Sequence, residues 1–66
     1  MNIATENTIN IFFSLLVEAV NSKNIANERI FFYKFQGIIE ALFSANILSS
    51  EELDYLHYAS WEVYFN

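Results

Sequence analysis

A chain with no proline and a single glycine, Gly37, in 66 residues has almost nothing with which to fold strands tightly back on themselves. Sheets built from hairpins and meanders need such punctuation at regular intervals, because only a few residue types tolerate the backbone of a tight turn. Its near absence points to an all-α fold, in which connections are few and each element is long.

The second constraint is an excess of apolar surface. Hydrophobic residues make up 55% of the chain, among them seven phenylalanines, four tyrosines and one tryptophan. A domain of about 60 residues buries only about 60% of the surface its unfolded chain exposes. The surplus is expected to be covered by another protein chain, either a second copy or a partner. There are no cysteines, so disulfides and thiolate metal sites are excluded.

Periodicity and capping signals place three helices at about residues 5–21, 27–45 and 49–65. In the first, Asn10, Ser14, Glu18 and Asn21 fall in one narrow strip, and the rest of the circumference is apolar. The break comes at Ser22, Lys23 and Asn24. Either Asn24 or Asn27 can cap the second helix, and Glu28 in its first turn suits the helix dipole. Phe31, Phe35, Ile38 and Leu42 are expected to be its core stripe, flanked by Phe32, Ile39 and Phe43, with Arg29, Tyr33, Gln36 and Glu40 on the far side. Gly37, Ala41 and Ser44 form a smooth strip on which another helix can approach closely; the alternative is a tolerated glycine that costs about 1 kcal/mol against alanine.

The third helix has the clearest local signal. Ser49 followed by Glu52 fits a capping box, and Leu48 just before it can staple to Leu53 one turn inside. Leu53, Leu56, Ser60 and Val63 are expected to face the core, with Ala59 and Tyr64 at its borders. The link itself, from Ala41 through Leu-Phe-Ser-Ala-Asn and Ile-Leu to Ser-Ser-Glu-Glu-Leu, resembles that of helical hairpins in short bacterial and phage modules. That resemblance and the abundance of Asn, Ile and Phe imply a bacterial or mobile-element origin. The expected fold is an all-α, three-helix domain over residues 1–66, with a helical hairpin formed by helices 2 and 3, associating as a homodimer.

The formal charge is −5, and its distribution is uneven. Lys23, Arg29 and Lys34 are the only basic side chains, and beyond Lys34 the chain carries Glu40, Glu51, Glu52, Asp54 and Glu62. Phosphate backbones and anionic membranes both call for clustered Lys and Arg, so no direct nucleic-acid or membrane ligand is expected. A basic protein surface is the natural opposite. Residues 1–8 lack the basic start of a secretory leader, and the apolar run from Ile9 to Val20 falls short of the roughly 20 residues that span a bilayer. A cytoplasmic location is the corresponding expectation.

No chemistry-bearing motif accompanies these helices. His57 is the only histidine, so there is no paired-histidine metal site, and no HExxH, CxxC, calcium loop, nucleophile elbow or glycine-rich phosphate loop occurs. His57 is expected to be a partly exposed structural residue. Glu51 and Glu52, at a helix start, serve the cap and the dipole. Neither an enzyme nor a cofactor protein is expected, since three short helices seldom enclose a water-excluding pocket.

What remains is an interaction surface. The outer face of the third helix gathers Glu51, Asp54, Tyr55, Tyr58, Trp61, Glu62 and Phe65, mixing acid with large rings that are enriched at binding hot spots. Asp54, Tyr55, Tyr58, Trp61, Glu62 and Phe65 are the candidate partner-binding residues. The alternative is a rotated helix that buries Tyr58 and Trp61 in the core. On the first helix, Ile11, Phe12 and Leu15 are the candidate homodimer seam. The expected function is that of a small acidic regulatory or adaptor protein, such as an inhibitor, that binds and occludes a basic protein. A structural assembly subunit without a regulatory target is the alternative.

Overall fold

A computed structural model describes residues 2–66 as three α-helices: α1, Ile3–Asn21; α2, Ile25–Ser44; and α3, Ser50–Phe65. They form a body of 34 × 20 × 14 Å with no strand among the described residues.

Each helix start is set by a side chain. Asn2 Oδ1 accepts the Thr5 N–H at 2.8 Å, so α1 begins two residues earlier than expected. Asn24, rather than Asn27, caps α2, accepting the Asn27 N–H at 3.2 Å. At α3 the capping box is complete: Glu52 N–H donates to Ser49 Oγ, and Ser49 N–H donates to Glu52 Oε1.

The helix ends solve a harder problem without glycine. After α1, Lys23 N–H donates to the Val20 carbonyl and Asn24 N–H to that of Ala19, with Lys23 at φ 57°. After α2, Asn46 N–H donates to Phe43 and Ile47 N–H to Leu42, with Asn46 at φ 62°. Both are Schellman closures, which usually place glycine at the left-handed position. Each ties up orphan carbonyls and reverses the chain within a few residues, so α2 lies against both α1 and α3.

α2 is therefore the central helix. The buried core comprises Ile9, Leu16 and Ala19 from α1, Phe32, Phe35 and Ile39 from α2, and Leu48 from the second link. Phe12, Phe13, Leu42, Leu53 and Leu56 pack around it. Phe13 meets Phe35 at 5.6 Å between ring centroids. Burying Phe35, Leu16 and Ile39 completely contributes about 1.5–3 kcal/mol each. Leu48 is buried in this core and Leu53 packs against the same cluster, the two positions at which the sequence places a staple.

The core stripe of α2 differs from the expectation. Phe32 and Ile39 are buried, Phe31, Ile38 and Leu42 only half-buried, and Gln36 is turned inward while Phe43 is exposed. The helix is turned toward α3, which stacks Tyr64 on Phe32 at 4.2 Å and meets Gln36 with Ser60. Gly37 faces open space, so no helix of this chain uses the smooth strip. On α3, Ser60 is fully buried and Leu53, Leu56, Val63, Ala59 and Tyr64 half-buried, as the sequence suggested.

α1 also runs longer than its apolar core of a dozen residues. Over its full 19 residues it is long and apolar enough to cross a bilayer by length and composition alone. Here Ile9, Leu16 and Ala19 are packed inside the helical body.

Candidate functional site

The outer face of α3 stands open. Tyr55 is 70% exposed, Tyr58 64%, Trp61 52% and Phe65 71%, and Glu51, Asp54 and Glu62 between them are exposed as well. The capping box fixes the start of the helix, and the buried Ser60 with half-buried Leu53 and Leu56 fixes its rotation. The rotation that buries Trp61 and Tyr58 in the core is therefore not the one adopted. Phe65 departs from the rest: its ring meets Phe32 at 5.7 Å and Tyr64 at 4.9 Å, both edge-on, so it closes an aromatic cluster at the end of the helix.

The ridge has a depression on either side. Toward α2 lies a cleft of about 410 Å³ lined by Glu40, Asp54, His57, Tyr58 and Trp61. Beneath it runs a chain of polar groups that sequence periodicity misses, because periodicity puts Gln36 on the far side of α2. Gln36 Nε2 donates to Ser60 Oγ at 2.7 Å, and Ser60 Oγ donates to the His57 carbonyl at 2.9 Å. His57 Nδ1 hydrogen-bonds Gln36 Oε1, which leaves Nε2 facing Glu40 Oε1 at 3.8 Å. This contact becomes an ion pair only when the imidazole is protonated. The signal available in the sequence was a serine on a core face, which needs a polar neighbour when buried.

Toward α1 lies an apolar groove with Ile9, Phe13, Leu56 and Ala59 in its lining and Tyr55 along one wall. Glu6, Glu51 and Glu52 stand at one end. The Ser49 N–H, hydrogen-bonded to its carboxylate, holds Glu52 below the usual glutamate range. On the ridge itself, the Glu62 carboxylate beside the Tyr58 phenol, one helical turn away, pushes the phenol above its usual range.

No family model, curated protein or solved structure matches the chain. The chemistry of the site therefore stands on its geometry. Two aromatic rings and two carboxylates around one cleft offer a cation both ring faces and ion pairs, which suits a lysine or arginine side chain better than a neutral or acidic one. No group of three or more His, Asp or Glu side chains fit to hold a metal ion occurs among the described residues.

The candidate dimer seam is less coherent. Ile11 is 59% exposed and Leu15 half-buried, whereas Phe12 packs against the core. Ile11 and Leu15 share a shallow depression with Asn7, Asn10, Ser14 and Glu18, the polar strip of α1.

Proposed function

We propose that this protein is a small acidic adaptor or regulator that binds a basic protein through the outer face of α3 and occludes the surface it covers. The observation that carries the reading is the exposure of Tyr55, Tyr58 and Trp61 on one helical face beside Asp54 and Glu62, on a helix that has no Lys or Arg. Large rings left in water are costly to a monomer and valuable in an interface, where each buries much area with little loss of rotamer freedom. The carboxylates between them steer toward positive charge and reject acidic surfaces. A rigid ridge of this kind would act by steric cover, and a cytoplasmic target of a bacterial or mobile-element system fits the composition.

The test is cross-linking from a photoreactive residue at position 58, carried out in the native host. The expected product is a basic protein, lost when Trp61→Ala is added. That variant should remain folded, since a half-exposed tryptophan loses far less than the roughly 3–5 kcal/mol of a buried one. Capture of acidic proteins, or capture unchanged by Trp61→Ala, refutes the reading.

A second reading, an assembly subunit, is favoured by exposed apolar side chains away from the ridge, including Ile3, Ile25, Ile30 and Tyr33. A homodimer through Ile11 and Leu15 belongs to this reading as well as to the first. Sedimentation equilibrium decides it: a mass that falls to the monomer in Leu15→Glu places the seam on α1, and an unchanged mass removes it.

A further inference from the structure

We propose that the groove between α1 and α3 is the seat of a basic amphipathic helix supplied by a partner protein. The inference goes beyond the ridge, since it concerns the other side of α3. Two adjoining depressions of about 390 and 180 Å³ share Ile9, Asn10, Tyr55 and Leu56, and so form one continuous channel along the two helices.

The lining decides the form of the occupant. Ile9, Phe13, Leu56 and Ala59 offer no hydrogen-bonding side chain, Asn10 and Tyr55 alone do so away from the acidic end, and the backbones of α1 and α3 are satisfied within their own helices, so most peptide groups of an occupant would find no partner. An extended segment laid there would bury peptide groups without partners, at a cost of several kcal/mol overall. A helix satisfies its backbone internally and needs only an apolar stripe to match the channel. Two helices side by side also present the ridge-and-groove surface into which a third packs.

The rim decides the charge. Glu6 on α1 and Glu51 and Glu52 on α3 stand together at one end, and neither helix contains a Lys or Arg. Glu52 is held by its hydrogen bond to Ser49, so its position is fixed before anything binds. An occupant with Lys or Arg flanking its apolar stripe would pair with this rim, and one with Glu or Asp would be repelled. The chain's own α2 is a poor candidate. Its exposed face carries Glu40 as well as Arg29 and Lys34, and its apolar stripe is already turned inward on Phe32, Phe35 and Ile39, so it matches the acidic, apolar groove less well than a helix with Lys or Arg flanking a free stripe.

The experiment uses the full chain and synthetic peptides. An 18-residue helix with a leucine stripe flanked by lysines is titrated into isotope-labelled protein, alongside the same peptide with glutamates for lysines and one with its leucines scrambled. Chemical-shift changes are expected at Ile9, Phe13, Tyr55 and Ala59, with the lysine peptide binding at least tenfold more tightly than either control. Glu6→Lys with Glu51→Lys should weaken it by about tenfold or more, and Asp54→Lys, across the ridge, by less than about twofold. The inference is overturned by equal binding of the lysine and glutamate peptides, or by shifts centred on Tyr58 and Trp61. It is also overturned if the protein self-associates through the groove, seen as a dimer mass that Ala59→Arg returns to the monomer. Failure here with the ridge still cross-linking to a basic partner would leave the proposed function standing.

Discussion

Gly37→Ala should stabilise this protein, and the size of the gain follows from what surrounds the glycine. Gly37 lies in the middle of α2 on its exposed side, its φ is not positive, and a β-carbon built there meets no atom within 4 Å. Alanine adopts the same backbone without strain, and its unfolded chain has fewer conformations to lose. The expected gain is about 0.5–1 kcal/mol. For a domain of this size, 1 kcal/mol moves the melting temperature by about 4–8 °C, so the rise should be about 2–8 °C.

The assay is thermal and urea denaturation followed by far-ultraviolet circular dichroism, at low and high protein concentration. Equal stabilisation at both concentrations means that nothing lies against this side of α2. A fall in stability refutes the reasoning, and the concentration dependence locates the error. A loss that grows with concentration means another copy presses a helix against Gly37, using the close approach that the Gly37, Ala41 and Ser44 strip would allow. A loss independent of concentration means strain within the monomer.

Lys23 is the converse position. It takes the left-handed conformation that costs a residue with a β-carbon roughly 1–2 kcal/mol, so Lys23→Gly should raise stability in urea by about 0.5–1 kcal/mol after glycine's own entropy loss. At the start of α3, Ser49→Ala should cost about 1 kcal/mol through loss of the cap. The lowered pKa of Glu52 means that the folded state favours its ionised form, so its contribution is present above the ordinary glutamate range and is lost as pH falls through the folded value. Urea titrations of wild type and Glu52→Gln should therefore converge on acidification, and a difference that widens would reverse the assignment. At the alkaline end, Tyr58 should ionise above the ordinary tyrosine range, and Glu62→Gln should bring it back, as read by ultraviolet difference titration. Its raised value favours folding below the unfolded tyrosine pKa, and that contribution disappears as pH rises through the folded one.

How far the sequence reveals this fold varies by helix. α3 was legible at its start because the capping box is a local signal; its rotation stayed open between two readings, because large rings lie on both faces, and the buried Ser60 with the exposed Tyr58 and Trp61 decides it. The links were legible as breaks. Their closures were not, since Lys23 and Asn46 hold positions where glycine is the usual signal. α2 was legible as a helix and misread in rotation. Phe31, Phe32, Phe35, Ile38, Ile39, Leu42 and Phe43 spread over roughly 140° of its circumference at about 100° per residue, and periodicity alone does not choose which part of so broad an apolar arc is buried deepest. Its rotation depends on neighbours on two sides, which is tertiary information.

Gln36 shows how that rotation is chosen. An amide can turn inward only where its polar atoms find partners, and here Ser60 takes its nitrogen while His57 takes its oxygen. No buried polar side-chain atom among the described residues lacks a partner, so the α2–α3 seam is polar without carrying an unmade hydrogen bond. A slip of α3 by one turn would separate Ser60 from Gln36 and strand both, whereas an apolar seam would tolerate it. The same network sets His57 beside Glu40 and thereby shapes the floor of the cleft beside Trp61. Register and binding surface are therefore linked through one serine, and a change at Ser60 should alter the shape of the ridge as well as the stability of the fold.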